Sequence, residues 1–348
     1  MRKPEVDRPA KTSAAAATRS PLAVHNPRER LHAMAKVRLP ATRMRRVRGF
    51  RAAADPGQAP VLRVAIDYLD RQYAELLIQA SRVRSGEPDA FHQMRSATRR
   101  LRSVLDIYGS FFDSRSSQEL GGELKWLAKV LGRARDAEVV RDRLQTRLRE
   151  LPERLQTVSV SGPLAYALDA ACDAGRIQVL QALDSTRYRR LLEDLARFHN
   201  HPPATSRALR PAGAPAAGLV NNQARIVDRA YRAMLRTDPG RSRDLALHRL
   251  RKDTKRLLYA AESVAPTNPK RVRGLISSAH RLQRILGSHQ DSVMACEFLE
   301  HLMADPSLPE DARLACERIR ELEEGLAASA ARQYSRARRK LPALRLRR

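Results

Sequence analysis

Aromatic residues make up only 4% of this 348-residue chain, with a single tryptophan among them. Proteins that read nucleic-acid bases usually expose aromatic rings for stacking, so base-specific recognition is disfavoured. Cysteine is equally scarce. Cys172, Cys296 and Cys316 lie far apart, form no CxxC pair, and match neither a zinc pattern nor a disulfide framework. Isolated thiols in odd number suit a reducing compartment, where each acts as a small buried apolar residue. β-Branched residues never build alternating strand-length runs, which argues against sheet. No stretch of about eighteen apolar residues occurs, so no membrane span is expected. The N-terminus lacks the apolar core of a secretory signal, and a cytoplasmic location is expected.

Catalytic signatures are missing as well. There is no P-loop, no nucleophile elbow, no His-Asp dipeptide and no carboxylate cluster suited to metal ions. The sequence therefore predicts no catalytic residue, no metal ligand set and no cofactor. His199 and His201, which flank Asn200, read as solvated linker histidines.

What the chain has in excess is positive charge. Sixty-six Lys and Arg face thirty-eight Asp and Glu, a formal net charge of +28. A surface so positive repels itself and attracts polyanions at assisted rates. Ala, Leu and Arg dominate the apolar and basic classes, and good helix formers in that proportion predict an all-α fold.

Along the chain, residues 1–57 read as a basic, disordered arm, broken by prolines and carrying Arg43, Arg45, Arg46, Arg48 and Arg51. From Ala59 the texture changes to long amphipathic segments. Helices are expected at about 59–84, 88–110, 115–149, 163–183 and 186–199, with Pro88 near the start of the second and Asp89 as its cap. A Pro/Ala/Gly linker follows at about 200–218. Further helices are expected at about 219–236, 242–264, 269–304 and 309–340, before a frayed basic end. The globular part thus spans 58–342, with halves at about 58–199 and 219–342.

The halves resemble each other. FHQMRSATRRL at 91–101 aligns with LHRLRKDTKRL at 247–257, and ELKWLAKVLGRARD ending at Asp136 aligns with SAHRLQRILGSHQD ending at Asp291. STRYRRLLEDL at 185–195 is a looser match to ARQYSRARRKL at 331–341. Ordered matches at preserved spacing predict an internal duplication and two pseudo-symmetric helical bundles.

At 100° per residue, His92, Arg95, Arg99 and Arg102 fall within about 80° of one another on their helix. Phe91, Met94, Leu101 and Leu105 fill the adjoining apolar sector. His248, Arg251 and Lys255 repeat the pattern, while Leu258 replaces the fourth cation. Arg100 and Arg256 match each other but are displaced around the helix. On the other repeated helix, Lys125, Lys129, Gly132 and Asp136 share a face, as do His280, Arg284, Gly287 and Asp291; Arg133 lies beside the first set. A helical Gly costs about 0.5–1 kcal/mol relative to Ala, so the pair Gly132 and Gly287 predicts close packing or close ligand approach. Asp136 and Asp291 are expected to orient neighbouring cations.

Several cations without interleaved acids carry a standing repulsion that an anion relieves. Arg offers a planar fork to phosphate oxygens and Lys a mobile point charge. Donors repeated at helical pitch suit a long, uniform anion without bases. Nonspecific nucleic-acid binding is the competing expectation, since basic helices are also its footprint.

At these residues the sequence resembles the CHAD family, the conserved histidine α-helical domains. The resemblance rests on HxxRxxxRRLR, here His92 to Arg102, with LGRARD at 131–136, and on HRLRKDTKRLLY at 248–259 with LGSHQD at 286–291. It covers about residues 60–340. It implies an all-helical fold of two pseudo-symmetric bundles, a basic groove that binds inorganic polyphosphate, and a place at polyphosphate granules in the bacterial cytoplasm. Many members carry an attached triphosphate-tunnel domain marked by ExExK; that motif is absent here, so its catalysis is not expected. LGSHQD lacks the Arg-Asp pair of LGRARD, which leaves the second half's grip weaker.

Overall fold

A computed structural model describes residues 58–341 together with Leu344 and Leu346. The arm expected over 1–57 lies outside the described residues. Among them the secondary structure is helical: α1 (Val61–Ser85), α2 (Ala90–Ile107), α3 (Ser114–Glu150), α4 (Val158–Asp184), α5 (Thr186–Asn200), α6 (Gly213–Leu235), α7 (Arg241–Val264), α8 (Pro269–Met303) and α9 (Glu310–Lys340). None of these is long and apolar enough to cross a membrane.

Local chemistry sets most boundaries. α1 stops at Gly86, whose left-handed backbone (φ 73°) lets its N–H reach back to the last turn. α3 begins where the Asp113 carboxylate accepts from the Ser116 amide at 2.9 Å. Asp89 was the expected cap of α2, but it adopts φ 58° and its side chain caps nothing. α4 starts five residues earlier than expected and runs through Pro163, with Val160, Leu164 and Leu168 buried on one side.

The linker is more ordered than its composition suggests. α6 already begins at Gly213, with Pro215 in its first turn. Upstream, the Val61 amide donates to Arg210 O and the Ala212 amide to Ala59 O, which ties the segment to the start of α1. A second tie joins Asp113 N to Pro203 O and Thr205 N to Phe111 O. Of the closing segment beyond Leu341, Leu344 and Leu346 are described. Both are buried, and the Leu346 amide donates to Asn221 Oδ1 at 2.8 Å on α6.

Helices next to each other in the chain pack together, α1 on α2, α2 on α3 and α3 on α4, then α6 on α7, α7 on α8 and α8 on α9. The halves join where α2 packs on α7 and α3 on α8. One central core collects buried residues of both halves, including Met94, Leu101, Leu127, Leu250, Leu257 and Leu282. A smaller core lies at the far ends of α3, α4, α8 and α9, around Leu144, Leu164, Leu299 and Ile319. Each fully buried Leu contributes roughly 1.5–3 kcal/mol, so the α2–α7 contact is held from its apolar side. That leaves the adjoining polar stripes of both helices facing each other.

Candidate anion-binding groove

The α2–α7 crossing brings four of the expected cations together. Arg95 and Arg99 come from α2, Arg251 and Lys255 from α7, and each feels the charge of the others. Two carboxylates stand near them, Asp136 on α3 and Asp291 on α8. Arg95 Nη1 donates to Asp136 Oδ1 at 2.9 Å. Among the described residues, Arg99, Arg251 and Lys255 make no such direct ion pair, and the Arg251 Nε is buried without a hydrogen-bond partner.

The electrostatic consequence is largest at Lys255. Burial first, then Arg99, Arg251 and Arg95, hold its ammonium down to about 6. Burial brings the Arg99 guanidinium down to about 10, with Arg95 and Arg251 adding repulsion. Arg251 shifts down for the same reason, although Asp291 opposes it. The Asp291 carboxyl is pushed up by burial despite the cations around it. His92 and His248 flank the cluster, and burial lowers both imidazoles, with Arg135 and Lys255 acting on His92. His248 Nδ1 pairs with Gln290 Oε1, so that imidazole is oriented by α8.

The cluster opens into a cavity of about 500 Å³. Arg99, Arg102 and Lys125 line it from the first half, and Lys255 and Arg256 from the second. Arg249, Lys252 and the Tyr259 ring complete its cationic wall, against the carboxylates of Asp106 and Asp253. Arg256 lies 3.6 Å from each of those two carboxylates and is partly neutralised.

Not every expected residue joins. Arg100 turns away to Glu262 on α7, donating at 3.0 and 3.4 Å, and packs over the Tyr259 ring. Burial disfavours its charge, but the Glu262 bond and charge prevail and raise its pKa. Lys129 and Arg133 on α3, and His280 and Arg284 on α8, are exposed. No described ion pair or hydrogen bond ties them to the cluster. Gly132 and Gly287 are not packing glycines. A Cβ at Gly132 would meet only the Arg95 guanidinium at 3.9 Å, and one at Gly287 would meet nothing within 4 Å. The close helix approach is at Gly175, whose added Cβ would fall 2.8 Å from Ala134 Cα. His199 is not solvated: it is buried and pairs with Asp70 of α1.

The sequence reasoning missed Arg249 and Lys252. Both lie inside the second repeated motif, but Gln93 and Ser96 occupy their places in the first, so matching the repeats discards them. It also missed His289, buried on α8 and paired with Asp244 at 3.1 Å.

These features define an all-α protein with a cationic cleft between two paired helices. The sequence pattern of the CHAD domain matches residues 67–300. Two uncharacterized Mycobacterium tuberculosis proteins, from strains CDC 1551 and H37Rv, are each 34% identical over 241 residues, 66% of this chain. The match covers 44% of those relatives, so the chain corresponds to less than half of their length. Among solved structures, PptA from Streptomyces chartreusis superposes with a TM-score of 0.68 at 19% identity, covering 81% of this chain and 100% of that one. The CHAD domain of the plant Ricinus communis gives 0.63 at 23% identity, covering 86% and 99%. The chain belongs to the CHAD domain family.

Proposed function

We propose that this chain binds inorganic polyphosphate in the α2–α7 groove and performs no chemistry on it. The observation that supports the reading is the imbalance at the crossing: four buried or half-buried basic side chains against two carboxylates, with three of the four lacking a direct partner among the described residues. A chain of phosphates supplies the missing negative charge at helical spacing. Arg95, Arg99, Arg251 and Lys255 form the inner contacts, with His92 and His248 beside them. Arg102, Lys125 and Arg256 extend the path along the cavity, and Lys129, Arg133, His280 and Arg284 serve as outer contacts.

The binding domain is taken as 58–342, built from two copies of one helical unit. Matching details support the copies. Thr98 and Thr254 are both fully buried, and each donates to the carbonyl four residues back, Met94 O and Leu250 O, at 2.8 Å. A protein with this affinity collects at polyphosphate granules in the bacterial cytoplasm.

The test is titration of the full chain with long-chain polyphosphate and with duplex DNA at physiological salt, beside the triple variant Arg95→Ala/Arg99→Ala/Arg251→Ala. Tight polyphosphate binding, much weaker DNA binding and loss of the former in the variant are expected. Equal binding of both polymers, unchanged in the variant, would mean bulk charge accounts for everything and would sink the reading.

A further inference from the structure

A second cavity, of about 480 Å³, adjoins the groove between the end of α2, the turn at Gly109–Phe111 and the first turns of α3. The two spaces share Arg102, Asp106 and Lys125 as walls, so one ligand can occupy both. Their remaining linings differ. Here Ser114, Ser117 and Gln118 bring hydroxyl and amide groups, Leu105 brings an apolar wall, and Gly121 and Gly122 bring bare backbone. Among the described residues, Arg102 and Lys125 are the only cations that line it.

Two features of this cavity have no explanation in packing. Ser117 is buried, and its Oγ has no hydrogen-bond partner among the described residues. An unsatisfied buried hydroxyl costs about 1–3 kcal/mol. The adjacent glycines stand inside the 37-residue α3, where each costs about 0.5–1 kcal/mol relative to Ala. A Cβ on either would meet nothing within 4 Å, so no neighbouring helix requires their smallness. Both features border the same space.

The chemistry of the walls selects the occupant. An inorganic phosphate chain continuing into this cavity would leave the dense cations behind, because beyond the shared Arg102 and Lys125 it meets only hydroxyl, amide, apolar and backbone groups among the described residues. A group bearing hydroxyls suits the site better: it donates to Asp106 and exchanges hydrogen bonds with Gln118 and Ser117. Among the described residues no aromatic ring lines the cavity, so the recognised feature is the hydroxyls and not a stacked base.

We propose that this cavity is a second binding site, which takes the hydroxyl-bearing organic part of a polyphosphate ester whose phosphates lie on Arg102 and Lys125. The inference rests on reading the adjoining groove as a phosphate site. A ribonucleoside polyphosphate and a cyclitol polyphosphate share the required chemistry.

Calorimetric titrations of the full chain test it, with long-chain polyphosphate, inorganic tripolyphosphate, ATP, 2′,3′-dideoxy-ATP and inositol trisphosphate as probes. At least one hydroxyl-bearing ester is expected to bind ten or more times as tightly as tripolyphosphate. For ATP, charge alone predicts the opposite order, because tripolyphosphate carries more; inositol trisphosphate carries as much charge as tripolyphosphate or more, so its advantage counts only if Gly121→Leu removes it. Preference for ATP over its dideoxy form identifies the ribose as the recognised source; preference for inositol trisphosphate identifies the cyclitol. Gly121→Leu, which fills the cavity, and Ser117→Ala should each remove the advantage and leave long-chain binding unchanged. Tripolyphosphate binding as tightly as both esters would overturn the proposal. So would a Gly121→Leu variant that weakens long-chain polyphosphate as much as the esters, since the phosphate chain itself would then run through this space. Failure of the unaltered protein to bind long-chain polyphosphate counts against the groove reading, whereas the ester advantage reports on this cavity.

Discussion

Near the distal end of α3, Arg143 and Arg147 close on one carboxylate of α9, Glu323, whose side chain is fully buried. Arg143 Nε donates to it at 2.8 Å and Arg147 Nε at 3.0 Å, while a second Arg143 nitrogen donates to Ser292 Oγ at 2.6 Å. At the α2–α7 crossing, Arg95, Arg99, Arg251 and Lys255 gather around Asp136 of α3 and Asp291 of α8, and among the described residues only Arg95 has a direct pair. Both regions bury arginines between the halves of the molecule. In the first, Arg147 also pairs with Glu150, so two arginines meet two direct carboxylate partners and belong to the fold. In the second, charge is left over, and Lys255 responds by losing its proton near neutral pH. Buried arginine is therefore no mark of a ligand site by itself. The mark is positive charge that burial has made costly and that no protein acid discharges.

Removing cations from the unbalanced region should produce the largest effect. Each charged hydrogen bond to phosphate is worth about 1.5–3 kcal/mol, so Arg99→Ala with Arg251→Ala should weaken long-chain polyphosphate by roughly 10²-fold or more. The same double variant should unfold at an equal or higher temperature in phosphate-free buffer, because repulsion is removed. Calorimetry and thermal unfolding read the two quantities. A stability loss matching the affinity loss would make this region structural, like its neighbour.

The balanced region should behave in the opposite way. Glu323→Gln leaves the Arg143 guanidinium without its counter-charge and Arg147 with Glu150 alone, and breaking a buried pair costs about 3–5 kcal/mol. Chemical denaturation should show that loss, while polyphosphate affinity measured well below the transition stays within about twofold. A binding defect larger than the stability defect would erase the distinction drawn between the clusters.

How much of this contrast was legible in the sequence depends on the range of the interaction. Helices were legible because Pro and Gly punctuate apolar runs of period 3.6, and Arg95, Arg99, Arg251 and Lys255 were found because their spacing recurs. The partners were not. Arg100 occupies a matched position in the motif, yet Glu262 is 162 residues away and nothing local announces the pair. Glu323 likewise looks like one more surface acid of α9 until α3 is packed on it. The linker misled for a related reason: its Pro and Gly content describes irregular backbone, but not the bonds that pin that backbone to Ala59 and Phe111.

Lys255 gives the comparison a pH signature. Its folded-state value of about 6 lies below the usual 10.5, so between these limits the unfolded chain holds more protons than the folded one. The unliganded protein should thus gain stability as pH rises from about 6. A bound anion restores the proton, so polyphosphate affinity should fall over the same window, by at most about tenfold per pH unit. Burial also lowers the His92 and His248 imidazoles from their ordinary value. Lys255→Arg should flatten the affinity profile above pH 7, and calorimetry in buffers of different ionisation enthalpy should show proton uptake by the unaltered protein only. An unchanged profile in the variant would assign the slope to another group.

The smallest effect belongs to the exposed cations. Lys129 stands in water on α3 and should act only as a point charge toward a passing phosphate chain. Lys129→Ala should cost about 1 kcal/mol or less, in keeping with an exposed ion pair. It should also reduce the slope of log affinity against log salt by about one, as expected for the loss of one phosphate contact. Arg99→Ala differs in kind, because a desolvated contact is weakly screened and its loss should persist at high salt. Measuring both variants from low to high salt separates the rim from the interior. If the two lose affinity equally and both losses vanish in high salt, the buried cluster has no special standing and the groove is an ordinary basic surface.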